Sequence, residues 1–370
     1  MTQNLVLYRK YRPKLFSEVV GQEAVIQTLT NAISRNMISH GYLFSGFHGC
    51  GKTSVARLFA KAINCQSRKD GEAEPCNKCN SCLEINNGTA IDLIEIDAAS
   101  NRGIDEIREL KEGIRFRPAK SKYKVFILDE AHQLSKDAAN ALLKTLEEPP
   151  AHAIFILATT ELHKMISTIL SRCQQFSFRK LKMPEIVKRL EYILSQEKIK
   201  FEKEAVELIA LKSSGSIRDA ETLLDETVSF SGAGQILKKE TVAAILGTAD
   251  KKAVFQFLEF LQAKNAKAAF ELLTELRFSA VDLREFAKDL LEYLREALFL
   301  KIDPNLESPI ILSLTKEEKE KLAEIAKSFS EADLKAIIEK FMEAENKMKY
   351  ASILQLPLEL AVVDICFKNE

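Results

Sequence analysis

The sequence predicts an α/β domain with a parallel sheet followed by all-helical domains, and three observations carry that prediction. A phosphate-loop motif stands between a short apolar run and a helical stretch. A second apolar run, about 80 residues later, ends in two acids. Strand-like and helix-like stretches alternate up to about residue 178, and beyond it the pattern is helical.

Residues 22–36 read as the first helix of the α/β region and 41–45 as its first strand. The run Gly46-Phe47-His48-Gly49-Cys50-Gly51-Lys52-Thr53 then fits G-x-x-x-x-G-K-[ST]. Its glycines let backbone N–H groups curl around phosphate oxygens at a helix N-terminus, whose dipole favours anions. Gly46, Gly49, Cys50, Gly51, Lys52, Thr53 and Ser54 are the candidate phosphate-binding residues. Lys52 is expected at the β- and γ-phosphates of a nucleotide and Thr53 at Mg²⁺. A helix follows over 52–63, and the class is a P-loop NTPase.

Strands are expected at 91–97, 123–128 and 153–159, with helices at 103–113 and 135–147. Lys124-Val125-Phe126-Ile127-Leu128-Asp129-Glu130 reads as a buried parallel strand. Ligands sit at the carboxyl ends of such strands. Asp129 is expected to hold the magnesium, directly or through water, and Glu130 to orient the attacking water. Pro149 and Pro150 stop the helix before them.

Four of the seven cysteines, Cys65, Cys76, Cys79 and Cys82, are spaced C-x10-C-x2-C-x2-C. Four thiolates suit tetrahedral zinc, and the intervening polar, Gly- and Pro-containing stretch suits a small metal-stapled loop with a structural role. An iron–sulfur cluster also fits four thiolates but has no redox partner signal beside it. Cys50, Cys173 and Cys366 lack ligand spacing. The N-terminus carries no apolar leader and no run approaches a membrane span, so a reducing cytosolic setting is expected. With 53 basic and 53 acidic residues, any nucleic-acid contact has to be a local patch.

After Phe178 helices are expected at 185–197, 203–213 and 216–230, then from about 243 to the end, including 331–347 and 354–368. The last two are apolar on one face, which a bundle of this chain or a partner subunit could cover. The boundaries expected are 1–178 for the α/β domain, with the cysteine insertion at about 64–83, then 179–242 and 243–370.

Several fragments together resemble one family. They are Tyr8-Arg9-Lys10-Tyr11-Arg12-Pro13, Val20-Gly21-Gln22-Glu23, the P-loop, the cysteine insertion, Asp129-Glu130-Ala131-His132, Asn140 to Pro150, Ser171-Arg172-Cys173 and Gly215-Ser216-Ile217-Arg218-Asp219-Ala220. The set is similar to the bacterial DNA polymerase III gamma/tau clamp-loader subunits, which are AAA+ ATPases. The resemblance is dense over 5–180 and thin after about 245. It implies an AAA+ core, a helical lid and a helical collar that makes oligomer contacts. It implies ATP, Mg²⁺ and Zn²⁺ as cofactors. It implies other clamp-loader subunits, the sliding clamp and primer–template DNA as partners. Arg172 looks like the arginine finger that reaches a neighbouring subunit's nucleotide, Arg218 like sensor 2, and Thr159 like sensor 1. Tyr11, Arg12, Pro13, Val20 and Gly21 resemble the adenine-pocket segment. Ser100-Asn101-Arg102-Gly103 opens a helix suited to DNA phosphate, or simply capped.

The function expected is ATP-driven loading of the sliding clamp onto primed DNA, with no polymerase active site in this chain. Two rivals stand beside it. A branch-migration helicase motor shares the P-loop but should lack the cysteine insertion. A non-hydrolysing nucleotide-binding scaffold is disfavoured by intact Lys52, Thr53, Asp129, Glu130 and Arg172.

Overall fold

The computed structural model describes residues 6–100, 113–114, 116–232, 235–245, 251–279, 282–304, 308, 311, 314 and 316–367. The expected helix at 103–113 and the proposed DNA contact at Asn101 to Gly103 lie outside the described residues apart from the last position of that helix. The chain divides into two compact units, Met1–Val242 and Ala243–Glu370.

In the first unit, α1 (Leu7–Lys10) and α2 (Glu23–Ser34) precede β1 (Gly41–Gly46) and α3 (Lys52–Ile63). Then come α4 (Asn80–Asn87), β2 (Leu93–Asp97), β3 (Lys124–Asp129), α5 (Lys136–Glu147), β4 (Ala153–Thr159), α6 (Ser167–Leu170) and β5 (Gln174–Phe178). Among the described residues the five strands form one parallel sheet in the order β2-β3-β4-β1-β5. β1 lies between β4 and β5, so the chain reverses its direction of travel beside the strand that carries the P-loop, where open α/β sheets bind ligands.

Alternate residues of the strands feed two apolar layers. Tyr42, Phe44, Val125, Ile127, Ile156 and Phe176 pack on Leu29 and Ile33 of α2 and Val55 and Phe59 of α3. Leu43, Phe126, Leu128, Phe155 and Leu157 pack on the other side against Ala138, Leu142 and Leu146 of α5. A parallel sheet covered on both faces explains why these strands are apolar throughout.

Several elements differ from the sequence expectation, among them the one-turn helices α1 and α6, which were not expected. β5 was not expected: its alternation Gln174, Gln175, Phe176, Ser177, Phe178 buries only the two phenylalanines, as an edge strand does. α4 occupies the end of the cysteine insertion, expected as loop, because Cys79 starts a helix whose Cys82 and Ile85 turn inward.

Three further helices of this unit are α7 (Met183–Gln196), α8 (Lys203–Lys212) and α9 (Ile217–Ser231), and α10 (Lys239–Ile245) runs across its end at Val242. Pro184 sits in the first turn of α7, and Ser216 caps α9 by accepting from the Asp219 N–H at 3.2 Å.

The second unit contains α11 (Lys251–Gln262), α12 (Ala266–Phe278), α13 (Leu283–Ile302), α14 (Lys316–Ser328), α15 (Glu331–Met348) and α16 (Leu356–Cys366). Phe257, Phe286 and Phe341 meet edge-on at its centre. The inward face of α15, Leu334, Ile337, Phe341, Ala344 and Met348, is buried within this unit. α16 buries Leu358, Ala361 and Val362 and leaves Leu356, Leu360 and Val363 exposed.

Candidate nucleotide site

The P-loop closes the carboxyl end of β1 as a chain of special backbone conformations. Gly46, Gly49 and Gly51 have φ of +151°, +68° and +101°. Two of these glycines also make close approaches. A Cβ on Gly46 would lie 2.3 Å from the Phe178 carbonyl oxygen, and one on Gly49 would lie 1.9 Å from Ser216 Oγ. Glycine is therefore required at both by contact as well as by torsion. The second approach brings α9 onto the loop, where Ile217 N–H donates to the Gly49 carbonyl at 3.1 Å.

Lys52, the first residue of α3, is buried, and its Nζ donates to the carbonyls of Gly46 at 2.8 Å and Phe47 at 2.9 Å. The ammonium thus lies across the loop mouth. Cys50 is buried behind the loop with Sγ on the Phe47 carbonyl. Gln22 fastens that loop to the end of the sheet: its Nε2 donates to the carbonyls of Cys50 at 3.3 Å and Arg179 at 2.9 Å.

β3 delivers the two acids. Thr53 Oγ1 donates to Asp129 Oδ2 at 2.7 Å, so the two motifs meet through the hydroxyl and carboxylate a magnesium ion needs. Glu130 is held at φ +48° and ψ +44°, a left-handed conformation uncommon outside glycine. Its Oε2 accepts from Thr160 Oγ1 at 2.8 Å and Thr160 N–H at 3.3 Å. The His132 ring lies 3.4 Å from the same oxygen and 3.0 Å from Thr159 Oγ1. Thr159 is fully buried and also accepts from Glu161 N–H at 3.1 Å. Thr160 rather than Thr159 is therefore in direct contact with Glu130. The sequence reading missed Thr160 and gave His132 no role. The polar pair after an apolar strand was the available signal.

Part of this set opens on one cavity of about 500 Å³, which Gly46, Thr159 and Thr160 do not line. Gly49, Cys50, Gly51, Lys52, Thr53 and Ser54 line it with Asp129 and Glu130. Arg12, Pro13 and Val20 form part of another wall, and Arg218 comes from α9. The Arg218 guanidinium lies 5.3 Å from the centre of the Tyr8 ring, within cation–π range. Tyr11 and Gly21 line an adjoining hollow that shares Arg12, Val20 and Arg189 with the cavity. Arg172 does not line the cavity. It stands after α6, with its NH2 2.5 Å from Glu147 Oε1 and the side chain about one-third exposed.

Arg189 is a contributor that local pattern could not reveal. Its Nε lies 3.0 Å from Glu221 Oε1, with both side chains about nine-tenths buried, and it donates to the Tyr11 carbonyl. It joins α7, α9 and the N-terminal segment. Burial pushes the Glu221 carboxyl above its ordinary range, and the Arg189 charge opposes that shift.

The four insertion cysteines come together with all Sγ atoms within 4.8 Å of one another and no disulfide. Cys76 and Cys82 Sγ are 3.9 Å apart, close to the edge of about 3.8 Å that a tetrahedron of 2.3 Å Zn–S bonds requires. Burial works to raise the Cys76 thiol, but N–H donors of Lys78 and Cys79 help hold it down at about 6. The donor set fits one tetrahedral ion.

Comparison with known proteins places this site in a family. Residues 21–182 match the family described as DNA polymerase III, delta subunit. Residues 185–233 match the DNA polymerase III clamp loader subunit, ATPase lid domain, and 237–370 match DNA polymerase III subunits gamma and tau domain III. The DNA polymerase III subunit gamma of Buchnera aphidicola subsp. Acyrthosiphon pisum is 33% identical over 362 residues, covering 97% of this chain and 98% of that protein. The chain belongs to the DNA polymerase III gamma/tau family. DNA polymerase III subunit tau of Bacillus subtilis is 43% identical over 97% of this chain and 63% of its own length. That of Escherichia coli K12 is 37% identical over 97% and 54%. The chain thus spans between half and two-thirds of the tau relatives. The P-loop core is accordingly an AAA+ core, followed by a helical lid and a helical third domain. Among the described residues no helix is long and apolar enough to cross a membrane.

Proposed function

We propose that this chain is an ATP-hydrolysing subunit of a replicative clamp loader, which uses ATP binding to open a sliding clamp and hydrolysis to leave it on primed DNA. The single observation that carries hydrolysis is the convergence of Lys52, the Thr53–Asp129 pair and Glu130 on one cavity that the lid residue Arg218 also lines. A protein that only bound nucleotide would have no use for a carboxylate held beside the magnesium pair.

In this reading Lys52 meets the β- and γ-phosphates, while Thr53 and Asp129 hold Mg²⁺. Bound there, the ion neutralises charge on the phosphate oxygens. Glu130 positions the attacking water once its carboxylate leaves Thr160. Thr159 supports Glu130 at one remove, through His132. Tyr11, Arg12, Pro13, Val20 and Gly21 form the base-side wall, and Arg218 senses the nucleotide from the lid. Arg172, which stands away from its own cavity, serves the nucleotide of a neighbouring subunit. Cys65, Cys76, Cys79 and Cys82 hold about one zinc per chain. The domain boundaries proposed are 1–178, 179–242 and 243–370, the last as the collar. The partners are other clamp-loader subunits, the clamp and primer–template DNA, in a cytoplasmic setting.

The test is ATP hydrolysis with and without clamp and primed DNA, using Lys52→Ala and Arg172→Ala subunits singly and mixed. Each alone is expected to lose stimulated hydrolysis. The mixture is expected to recover part of it, because an intact pocket then faces an intact finger. No recovery in an assembly confirmed by gel filtration overturns the trans-acting role of Arg172, and no stimulation of the parent overturns the clamp-loader reading.

A further inference from the structure

The cysteine insertion reaches past its own loop. Glu74, two residues before Cys76, accepts from two consecutive backbone N–H groups of the N-terminal segment: Phe16 at 2.8 Å and Ser17 at 2.9 Å. Asn77, inside the Cys76–Cys79 turn at φ +54°, donates from Nδ2 to the Lys14 carbonyl at 3.1 Å. Lys61, a buried residue of α3, places its ammonium at the centre. It donates to the Lys14 carbonyl at 2.9 Å, Asn77 Oδ1 at 2.7 Å and Asn86 Oδ1 at 2.9 Å. All three of its donors are used.

These contacts fix the backbone of residues 14–17 from one side. The flanking residues Arg12, Pro13, Val19 and Val20 line the same cavity as the P-loop residues. The insertion has little apolar material of its own: before the helix Asn80–Asn87 only Pro75 is buried and Ala73 partly so, while Cys82 and Ile85 belong to that helix. A loop so poor in core depends on the bonds its cysteines make to a metal for the position of Glu74 and Asn77.

We infer that the cysteine centre is a brace for the base-side wall of the nucleotide cavity, with Glu74 and Asn77 as the positioning residues that transmit its shape. Resting on the nucleotide-binding function proposed above, this makes the insertion more than a local staple. Loss of the brace loosens the wall that meets the nucleoside and leaves the phosphate loop, built on β1 and α3, in place.

The experiment uses the full chain and two probes. N-methylanthraniloyl-ATP reads the whole cavity, and inorganic tripolyphosphate, in competition with it, reads the phosphate loop alone. Glu74→Ala is expected to weaken the ATP analogue by about 10-fold, since it removes two charge-assisted hydrogen bonds. Zinc per chain and tripolyphosphate affinity should stay near the parent's. Glu72→Ala, at an exposed position of the same loop, should change neither. Glu74→Gln, which keeps one acceptor oxygen, should fall between. It also serves as the reading variant should Glu74→Ala not fold. Unchanged affinity for the ATP analogue at full zinc content overturns the inference. So does weakening of both probes in equal proportion, the mark of a merely destabilised domain. A parent chain that binds neither probe defeats the nucleotide-binding reading itself, separately from the brace.

Discussion

The two walls of the nucleotide cavity are assembled from contacts of different reach. At the phosphate wall Lys52 bonds carbonyls five and six residues away, and the glycine torsions that shape the loop fall within six positions. At the wall made by the N-terminal segment, that segment is held by Glu74 from 58 residues away and by Arg189 from 178 residues away. The first wall takes its shape from torsions within its own short sequence, and Gln22, Phe178 and Ser216 close on it from elsewhere in the chain. The second has no such local motif, and its contacts come from the insertion and the lid. Contacts of the first kind leave a readable motif. Those of the second leave single polar residues that look like ordinary surface.

The largest expected effect lies at the phosphate wall. With Lys52 in the role proposed, Lys52→Ala removes charge-assisted bonds to two phosphates, each contributing about 1.5–3 kcal/mol, so ATP affinity should fall by more than about 100-fold. Thermal stability should change little by comparison. Equilibrium titration with a fluorescent ATP analogue checks this, and an unchanged Kd would remove Lys52 from the site.

Next comes the far wall. Arg189→Ala leaves the Glu221 carboxylate buried without its partner, which costs about 3–5 kcal/mol in comparable buried pairs. Urea midpoints should drop accordingly, and the double variant Arg189→Met/Glu221→Leu should recover most of the loss. Recovery of stability without recovery of nucleotide affinity would separate the packing of this wall from its binding role. A single variant as stable as the parent would refute the tertiary origin of the wall.

The junction between P-loop and lid gives a smaller effect. Gly49→Ala and Gly51→Ala both place a side chain at positive φ, at a cost of about 1–2 kcal/mol. Only at position 49 does the new methyl meet Ser216 Oγ, at 1.9 Å, whereas nothing lies within 4 Å at position 51. The Gly49 variant should therefore be the less stable by about 1–3 kcal/mol, the cost of overpacking. Equal midpoints in denaturant would mean that the lid yields freely.

Legibility in the sequence follows the same division. β1, β3, β4 and α3 were readable because buried parallel strands are apolar throughout and the P-loop pattern is tied to its flanks. Asp129 was readable because it ends an apolar run, at the carboxyl end of a buried strand. The edge strand β5 was not, since only Phe176 and Phe178 of its five residues are buried. Thr160, Arg189, Glu221, Glu74 and Lys61 were not, since what matters in each is a partner on another element. The cysteine spacing announced that four thiols gather at one point but gave no hint that Glu74 between those cysteines reaches the N-terminal segment.

The smallest effect concerns the connection where β5 passes into α7. Arg179 follows the last strand, and its NH2 lies 2.6 Å from Glu185 Oε1 in the first turn of α7. The Arg179 hydrogen bond holds the Glu185 carboxyl down at about 2. Burial opposes that shift, and the Lys182 N–H adds to it. A folded-state value below the unfolded one means that the contribution is full above the unfolded carboxylate range of about 4.3 and is lost as pH falls toward 2. Both side chains are partly exposed, so the contribution should stay below about 1 kcal/mol. Glu185→Gln should thus be slightly less stable than the parent, by a margin that is constant from about pH 8 to pH 5.5 and narrows below pH 5. Urea midpoints of the two proteins across that range supply the measurement. A margin that widens on acidification would reverse the sign assigned to this pair. The connection would then be held by the close packing of Leu181 on Gly21, where an added Cβ would come within 2.2 Å of Leu181 Cδ2, rather than by charge.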